Sequence, residues 1–524
     1  MFLFRLPKRE ERSLFFITTL FLWLLLLAPY VYAWLNTPIN HYCTFLIGYP
    51  DTEVCDQNFY IAWGSAQAAN GHTLFEDKLN GYTTQRLVFN SWWLVTGKIC
   101  GWLRMDVYLF NQVQRFVVIP VLCLVLFNFT SLFFADKKYR FMAFWLMIFS
   151  GYNLGPYPEA NMFESMLWEV ILPVAHVFVL VTVYFCYRVF AENGSILKAG
   201  VASFIMSTVY PYATVSVCFL MLAGFLFLVV TKKIILQKAI LQYAVLLLFT
   251  IPMVLYDYYI VSTDPRYIQG IANFTSKPIW TFVFAFGLLF LLALWGVVLS
   301  IRKKTLSFIF LVCWFICILI QIYFPVSIIP FQVQLVLGIQ VPMSLLAVFA
   351  FKEITSSFKI TQLQLYVLFT VMFLSVSATN GYMYSRIVKI ISKQVMPIYL
   401  ENEIVEAMQW LKANADEEDV VISTPIISSY IPVMSNCRVY SSDYFAPTPD
   451  FEKKEKDIIR VFENKFETAS ALDNFLYPNH IAYVFRNNYS QRKNHTLTYQ
   501  LQLFSSAVNV FENKRVQIYK TKLP

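Results

Sequence analysis

Polar and apolar positions divide the chain into long apolar runs separated by short polar stretches, followed by a tail of mixed character. Arg5, Lys8, Arg9 and Arg12 precede an apolar run from Leu14 to Leu35. That run is too long for a signal-peptide core, and no small-residue cleavage site follows it. At about 20 apolar residues per bilayer crossing it predicts an uncleaved first transmembrane helix. Further runs near 107–134, 139–152, 167–188, 198–210, 211–231, 239–260, 278–300, 306–323, 332–351 and 361–382 bring the expected crossings to eleven. These runs define a polytopic α-helical membrane domain over 1–383.

Two regions break the pattern. In the loop 36–106, Gln57–Asn70 lies between Asp56 and Gly71 and carries an apolar stripe of Phe59, Trp63 and Ala66, which predicts a helix. Arg86–Leu103 holds Trp92, Trp93 and Trp102 among Leu and Val, the composition of a helix lying flat at a membrane surface. The tail, 384–524, alternates helix and strand periods. Helices are expected at Leu400–Asn414, Phe451–Asn464 and Ala469–Leu476. Strands are expected at Val420–Ser423, Arg438–Ser441 and Ile481–Phe485, with a closing hairpin of Val508–Phe511 and Val516–Lys520. That order predicts a small α/β domain.

Composition supports the membrane reading. The chain has 524 residues, 58% hydrophobic and only 14% charged, with a mean hydropathy of +0.55. An average soluble chain carries about 25% charged residues. The formal charge of +9 lies almost wholly before residue 384, where 24 Lys+Arg face 16 Asp+Glu. With the N-terminus in the cytoplasm, 17 basic residues fall in inside segments, whereas Arg266 and Lys277 are the only two in short outside loops. The positive-inside rule therefore sets the N-terminus in the cytoplasm and the loop 36–106 and the tail outside, in a cell membrane. No clustered basic face suggests nucleic acid. The nine cysteines form no zinc spacing; Cys43 and Cys55 share one outside loop, as a disulfide or as two thiols. No Walker A loop, G-x-G-x-x-G, H-E-x-x-H or G-x-S-x-G occurs, so neither a nucleotide nor a redox cofactor is expected.

Eleven acidic residues at outer positions against five at inner ones direct the search for chemistry to the outer face. Asp56 opens the first loop helix, four residues before Tyr60 on the same face; it suits either a helix cap or a base. Glu159 and Asn161 project from the proline-fixed run Pro156-Tyr157-Pro158-Glu159-Ala160-Asn161, as functional groups or as the polar edge of a rigid turn. Arg115, about 12 Å into the second span, must pair or line a polar cavity. His176 and Asp257 lie near the outer interface, as functional groups or as hydrogen-bond partners of neighbouring helices, and Arg86 and Arg266 suit either a grip on a lipid phosphate or plain solvation.

The loop opening Asp56-Gln57-Asn58-Phe59-Tyr60 after a first span resembles the GT-C superfamily of polytopic glycosyltransferases, which includes the protein mannosyltransferases and lipid A aminoarabinose transferase. Those enzymes often begin this loop with Asp-Glu-x-x-Tyr; Asp56 and Tyr60 match, and Gln57 stands where they carry the second acid. Pro158–Asn161, Tyr210-Pro211-Tyr212, Phe331-Gln332, Trp410-Leu411 and Val420–Ser423 resemble bacterial membrane proteins of the same plan. The resemblance implies transfer of a sugar from a polyprenyl-phosphate donor to a glycan, lipid or protein acceptor on the outer side. It implies Asp56 as catalytic base, or as ligand with Glu159 of a divalent cation such as Mg or Mn. Tyr60, Glu159, Asn161 and His176 would support it, and Arg115, with Arg86 or Arg266, would hold the donor phosphate. A lipid or sugar transporter or flippase and a non-catalytic envelope scaffold are the alternative readings.

Overall fold

The computed structural model describes residues 2–47, 56–81, 85–151, 158–263, 278–325, 331–358, 360–442, 450–462, 466, 468–487 and 507–521. Helices occur at each of the eleven apolar runs. Arg9–Leu35, Val107–Thr130, Ile171–Glu192, Tyr212–Val230, Leu236–Thr263, Gln332–Ser357 and Gln362–Ser392 are long and apolar enough to cross a bilayer. An eighth crossing results if Ile279–Phe286 and Leu288–Lys303, bent by 106°, count as one. The bend falls at Gly287, whose φ of 49° is open to glycine. Lys137–Phe149, Ile196–Val209 and Leu306–Gln321 have 13, 14 and 16 residues. At 1.5 Å per residue they extend about 20–24 Å, short of a hydrocarbon core of about 30 Å. The chain is a multi-pass membrane protein, and its described helices give seven or eight crossings by length where eleven were expected. Pro211 splits the run 198–231 as anticipated: one helix ends at Val209 and the next begins at Tyr212.

The chain forms two compact units. The first gathers Met1–Pro29, Val113–Tyr259 and Ala272–Val388. Its helices are fastened by buried side chains that reach backbone carbonyls. The Asn128 amide donates to the carbonyls of Leu3 at 2.8 Å and Arg5 at 2.7 Å. Arg140 meets Glu11 at 2.7 Å, with both buried. Residues 3, 5, 11, 128 and 140, all given to the cytoplasmic side by the charge pattern or lying beside it, thus share one end of this unit. Elsewhere, the Gln340 amide donates to the Ser150 hydroxyl at 2.6 Å and accepts from the Met162 N–H at 2.6 Å. A Cβ at Gly296 would overlap the Leu346 carbonyl, so two spans approach there backbone to backbone.

The second unit gathers Tyr30–Gln112, Ile260–Ile271 and Lys389–Pro524. Strand β1 (His41–Cys43) pairs antiparallel with β2 (Tyr399–Glu401). A five-stranded sheet is built from β3 (Val420–Ile422), β4 (Arg438–Val439), β5 (Ile481–Asn487), β6 (Ala507–Glu512) and β7 (Val516–Thr521), in the order β4-β3-β5-β7-β6. β3 runs parallel to β4 and β5, and β7 antiparallel to β5 and β6. All three residues of β3 are buried, as expected for a central parallel strand covered on both faces. One face packs Val421, Val439, Tyr483 and Phe485 against helices Asn402–Asn414, Pro425–Ser428 and Ile431–Met434, joined by Ile61, Ala62 and Ala66 of the first loop. The other packs Val420, Ile422, Ile481 and Val484 against helices Phe451–Phe462 and Ala469–Leu476. The Val439 N–H donates to the Lys78 carbonyl at 2.9 Å, so the first loop also lies along the outer edge of β4.

Candidate active site

Asp56 begins a helix, Asp56–Tyr60, that widens to π geometry over Ile61–Ser65 and returns to α over Ala66–Ala69. Its backbone is described; its side chain lies outside the described residues. The wide turn is closed by Gln67, whose amide donates to the carbonyls of Ala62 at 3.0 Å and Glu76 at 2.7 Å. This insertion rotates the expected Phe59, Trp63, Ala66 stripe: Phe59 and Trp63 are only half-buried, while Ile61, Ala62, Ala66 and Ala68 face the core. π turns of this kind occur often at functional sites. Asn58 anchors the helix: its amide donates to the Ser429 carbonyl at 2.9 Å and hydroxyl at 3.1 Å, and its oxygen accepts from Tyr108 Oη at 2.7 Å. Gln57 is buried at 4% exposure, and among the described residues neither its amide nitrogen nor its oxygen has a partner. The Tyr60 ring sits 5.9 Å from that of Trp93. Trp93 belongs to helix Ser91–Leu103, which starts later than the sequence pattern suggests because the Asn90 side chain caps it, accepting from the N–H groups of Trp92 and Trp93 at 3.1 Å each. Val95, Ile99, Trp102 and Leu103 form its exposed apolar face.

Arg86 lies within a charge cluster of the second unit. It donates to Glu76 at 3.1 Å, Glu417 at 2.6 Å and the His72 Nδ1 at 2.9 Å. Arg438, fully buried, pairs with Glu76 and with Glu418 at 2.9 Å; Lys78 donates to the Asn436 carbonyl at 2.7 Å and pairs with Glu417 at 3.4 Å. Partial burial acts to raise the Glu417 carboxyl, but the hydrogen bond from Arg86 and the charges of Lys78 and Arg86 outweigh it and hold it at about 2. Burial pushes the Lys78 ammonium down and the Asp77 carboxyl up.

In the first unit, Arg115 has 0% exposure and donates to the carbonyls of Met166 and, at 2.8 Å, Trp168. A cation at the end of helix Met162–Trp168 complements the partial negative charge of its last carbonyls. Asn161 caps the other end: its oxygen accepts from Phe163 and Glu164 N–H at 3.1 and 3.4 Å, and its amide donates to Asn380 at 2.8 Å. Glu159 sits half-buried on the single turn Pro158–Ala160. His176 is buried and donates from Nδ1 to the Leu172 carbonyl at 2.9 Å. Arg266, Cys55 and the run 152–157 lie outside the described residues. Glu164, passed over in the sequence, is buried, and burial pushes its carboxyl up to about 8 against the opposing hydrogen bond of Asn161. The signal for it was available: Met162–Trp168 has no polar face, so its one acid had to be enclosed.

Segments distant in sequence converge here. The Tyr210 hydroxyl donates to the Gln334 carbonyl at 3.4 Å, and the Tyr212 ring lies 5.0 Å from Phe331. Among the described residues no group of three or more His, Cys, Asp or Glu side chains is placed to hold a metal ion.

No protein-family model matches the chain, and no curated protein matches it by sequence. Solved structures do match. The archaeal oligosaccharyltransferase AglB from Archaeoglobus fulgidus, in complex with an inhibitory peptide and a dolichol-phosphate, superposes with a TM-score of 0.57 at 12% identity, over 92% of this chain and 70% of that one. ArnT from Cupriavidus metallidurans bound to undecaprenyl phosphate superposes with a TM-score of 0.54 at 11% identity, over 98% of both chains. The fold is that of the GT-C glycosyltransferases. The Archaeoglobus oligosaccharyltransferase in complex with Zn and sulfate also matches, with a TM-score of 0.51 at 12% identity, over 88% of this chain and 68% of that one. The GT-C fold accounts for both the apolar helices and the C-terminal sheet of this chain.

Proposed function

We propose that this protein is a membrane glycosyltransferase that takes a sugar from a polyprenyl-phosphate donor and passes it to an acceptor on the extracytoplasmic side of a bacterial inner membrane. The observation that carries this reading is the full-length likeness to ArnT bound to undecaprenyl phosphate, with an aspartate opening the first loop helix at Asp56. The positive-inside pattern assigns that loop and residues 384–524 to the outer side.

In the proposed step Asp56 accepts the proton of the acceptor hydroxyl. The hydroxyl oxygen bonds to the anomeric carbon, the bond from that carbon to the phosphate oxygen breaks, and polyprenyl phosphate leaves with the electron pair. Tyr60 holds the helix carrying Asp56 against Trp93, and Asn161 shapes the loop that presents Glu159. Arg115 and Arg86 are assigned to structure rather than to the phosphate, because their guanidinium groups are engaged by carbonyls and carboxylates; Arg266 is the basic residue proposed for the phosphate. A divalent cation held at Asp56 would neutralise the leaving phosphate; among the described residues no group of three or more His, Cys, Asp or Glu side chains is placed to hold one. Neither a transporter nor a scaffold is favoured by a particular observation.

The test is transfer of radiolabelled sugar from a panel of polyprenyl-phosphate donors by purified protein with membrane extract as acceptor. Asp56→Asn is expected to lower the rate on the order of 10²–10⁴-fold. Full transfer by Asp56→Asn would remove Asp56 from the chemistry, and no donor consumption by folded wild type would remove the enzyme.

A further inference from the structure

The first-loop helix carries one residue more than regular α turns accommodate. Over Ile61–Ser65 its backbone widens to π geometry, and the Ala66 N–H donates to the Ile61 carbonyl, five residues back. Such a turn is rare and marks a place where a side chain enters the ladder of helix hydrogen bonds.

Gln67 is that side chain. It has 0% exposure, and its amide nitrogen donates to the carbonyls of Ala62 at 3.0 Å, inside the wide turn, and of Glu76 at 2.7 Å. Its oxygen accepts from the Glu76 N–H at 3.1 Å. One side-chain amide thus pairs with both backbone groups of Glu76 while it closes the turn. The turn has no room to slide. A Cβ at Gly64 would overlap the Trp93 ring, and one at Gly97 would overlap the Ser65 carbonyl.

The helix is fastened to the C-terminal sheet on both sides of the wide turn. Beyond Gln67, the Glu76 carboxylate pairs with Arg438 of β4 and accepts from Arg86 at 3.1 Å. Before the turn, Asn58 donates to the carbonyl of Ser429 at 2.9 Å, and Ser429 directly follows helix Pro425–Ser428. Together these fastenings fix the rotation of the segment that begins at Asp56. Each residue of an α-helix turns the chain by about 100° and advances it by about 1.5 Å. If the wide turn relaxed to α with Ala66–Ala69 held, Asp56–Tyr60 would rotate by about that angle and Asn58 would leave Ser429.

We propose that Gln67 is a positioning residue: through Glu76 and Arg438 it ties the rotation of the Asp56 turn to the C-terminal sheet. The proposal rests on the glycosyltransferase reading only in calling Asp56 the base. Residues 384–524 then act on the chemistry by holding the base in place. Gln67 is buried and bonded to backbone, away from any substrate, so its loss falls on kcat rather than on KM.

The test uses full-length protein in detergent, with Gln67→Met as the variant and Leu472→Ala as a control for lost stability. Leu472 is buried on the opposite face of the sheet, against Val420, Ile422 and Val484. Transfer is measured with the polyprenyl-phosphate donors, and amide hydrogen exchange is followed by mass spectrometry. Gln67→Met is expected to lower kcat on the order of 10²-fold, the cost of a misplacement of about 1 Å, with donor and acceptor KM within about twofold of wild type. Exchange should rise over 56–66 and stay at the wild-type level over 469–476. Leu472→Ala should show the reverse exchange pattern with wild-type kcat. Gln67→Glu keeps the side-chain length and the acceptor for the Glu76 N–H but turns an oxygen toward the carbonyls; it serves the same test if Gln67→Met does not fold. Wild-type kcat in the Gln67 variants, an equal kcat loss in Leu472→Ala, or unchanged exchange over 56–66 overturns the positioning role. Folded wild type that consumes no donor overturns the enzyme reading alone, and exchange over 56–66 then decides whether Gln67 holds the turn. Transfer that needs Asp56 and ignores Gln67 keeps the enzyme and overturns the positioning.

Discussion

The two compact units differ in what engages several of their buried polar groups, although the first also holds the buried pair of Arg140 and Glu11 and the second also ends Lys78 on the Asn436 carbonyl. In the first, Arg115, Asn128 and Asn380 end on backbone carbonyls: Trp168 at 2.8 Å, Leu3 at 2.8 Å and Phe149 at 2.7 Å. In the second, Arg438, Lys78 and Arg86 end on the carboxylates Glu76, Glu417 and Glu418. The consequence shows in two glutamates displaced in opposite directions: Glu164 is pushed up to about 8 by burial, and Glu417 is held at about 2 by its cations. A bilayer-spanning unit has no water to solvate a helix end broken inside it, so side-chain amides and a guanidinium take that place. The other unit joins a first-loop segment to a C-terminal sheet through opposite charges, which set register and depend on protonation.

The largest effect that would sharpen this contrast is expected from Arg438→Met. It leaves Glu76 buried with only Lys78 and Arg86, and removal of one partner of a buried pair costs about 3–5 kcal/mol. Thermal melting in detergent should show it, and restoration by Glu76→Gln in the same chain would identify the lost charge pairing as the cause. Arg115→Met comes next, at about 2–4 kcal/mol for carbonyls left without donors. It should show as a lower melting temperature in detergent, and an equal salt and pH dependence for the two arginine variants would break the contrast.

Acid and base should then separate the units. Glu417 is depressed in the folded chain, so its contribution is present above about 4.5, its unperturbed value, and is lost as pH falls toward about 2. Melting of wild type should drop through that window, and Glu417→Gln should flatten the drop. Glu164 is raised, so its contribution is present below about 4.5 and is lost as pH climbs toward about 8. Glu164→Gln should therefore gain on wild type between those values and keep a constant advantage above. The smallest effect is expected for Glu192→Ala, which removes an exposed i,i+4 pair with Arg188 at 2.6 Å. Exposed helical pairs of this kind contribute about 0.3–0.5 kcal/mol, within the error of most melts.

The helices and strands were legible because burial leaves a periodic mark. Each apolar run became a helix, and Val420–Ile422, Ile481–Asn487 and the hairpin about Asn513 formed where alternation and turn residues place them. Lengths were less legible, since a run of apolar residues does not tell a full crossing from helices such as Ile196–Val209 or Leu306–Gln321. The start of the first loop helix at Asp56 was legible from its place before a helical period, yet Asn58, which fastens that helix to Ser429, left no mark because its partner lies 371 residues away. Arg115 was recognised as a buried charge needing a partner. That its partners are carbonyls at the end of Met162–Trp168 follows only from how that short helix is seated.

By itself the sequence determined that the bilayer is the solvent for most of this protein, which end of each helix carries positive charge, and that the tail folds as an α/β sheet. Those are properties of neighbouring residues: hydrophobic length, charge asymmetry and period. Only the tertiary structure decided that the first loop packs onto that sheet, that Glu76 collects Arg438 and Arg86, and that Gln57 is buried with no partner for its amide among the described residues. These depend on pairings across hundreds of residues. Whether a polar side chain is satisfied is set by what the fold brings to it, and no local pattern records that.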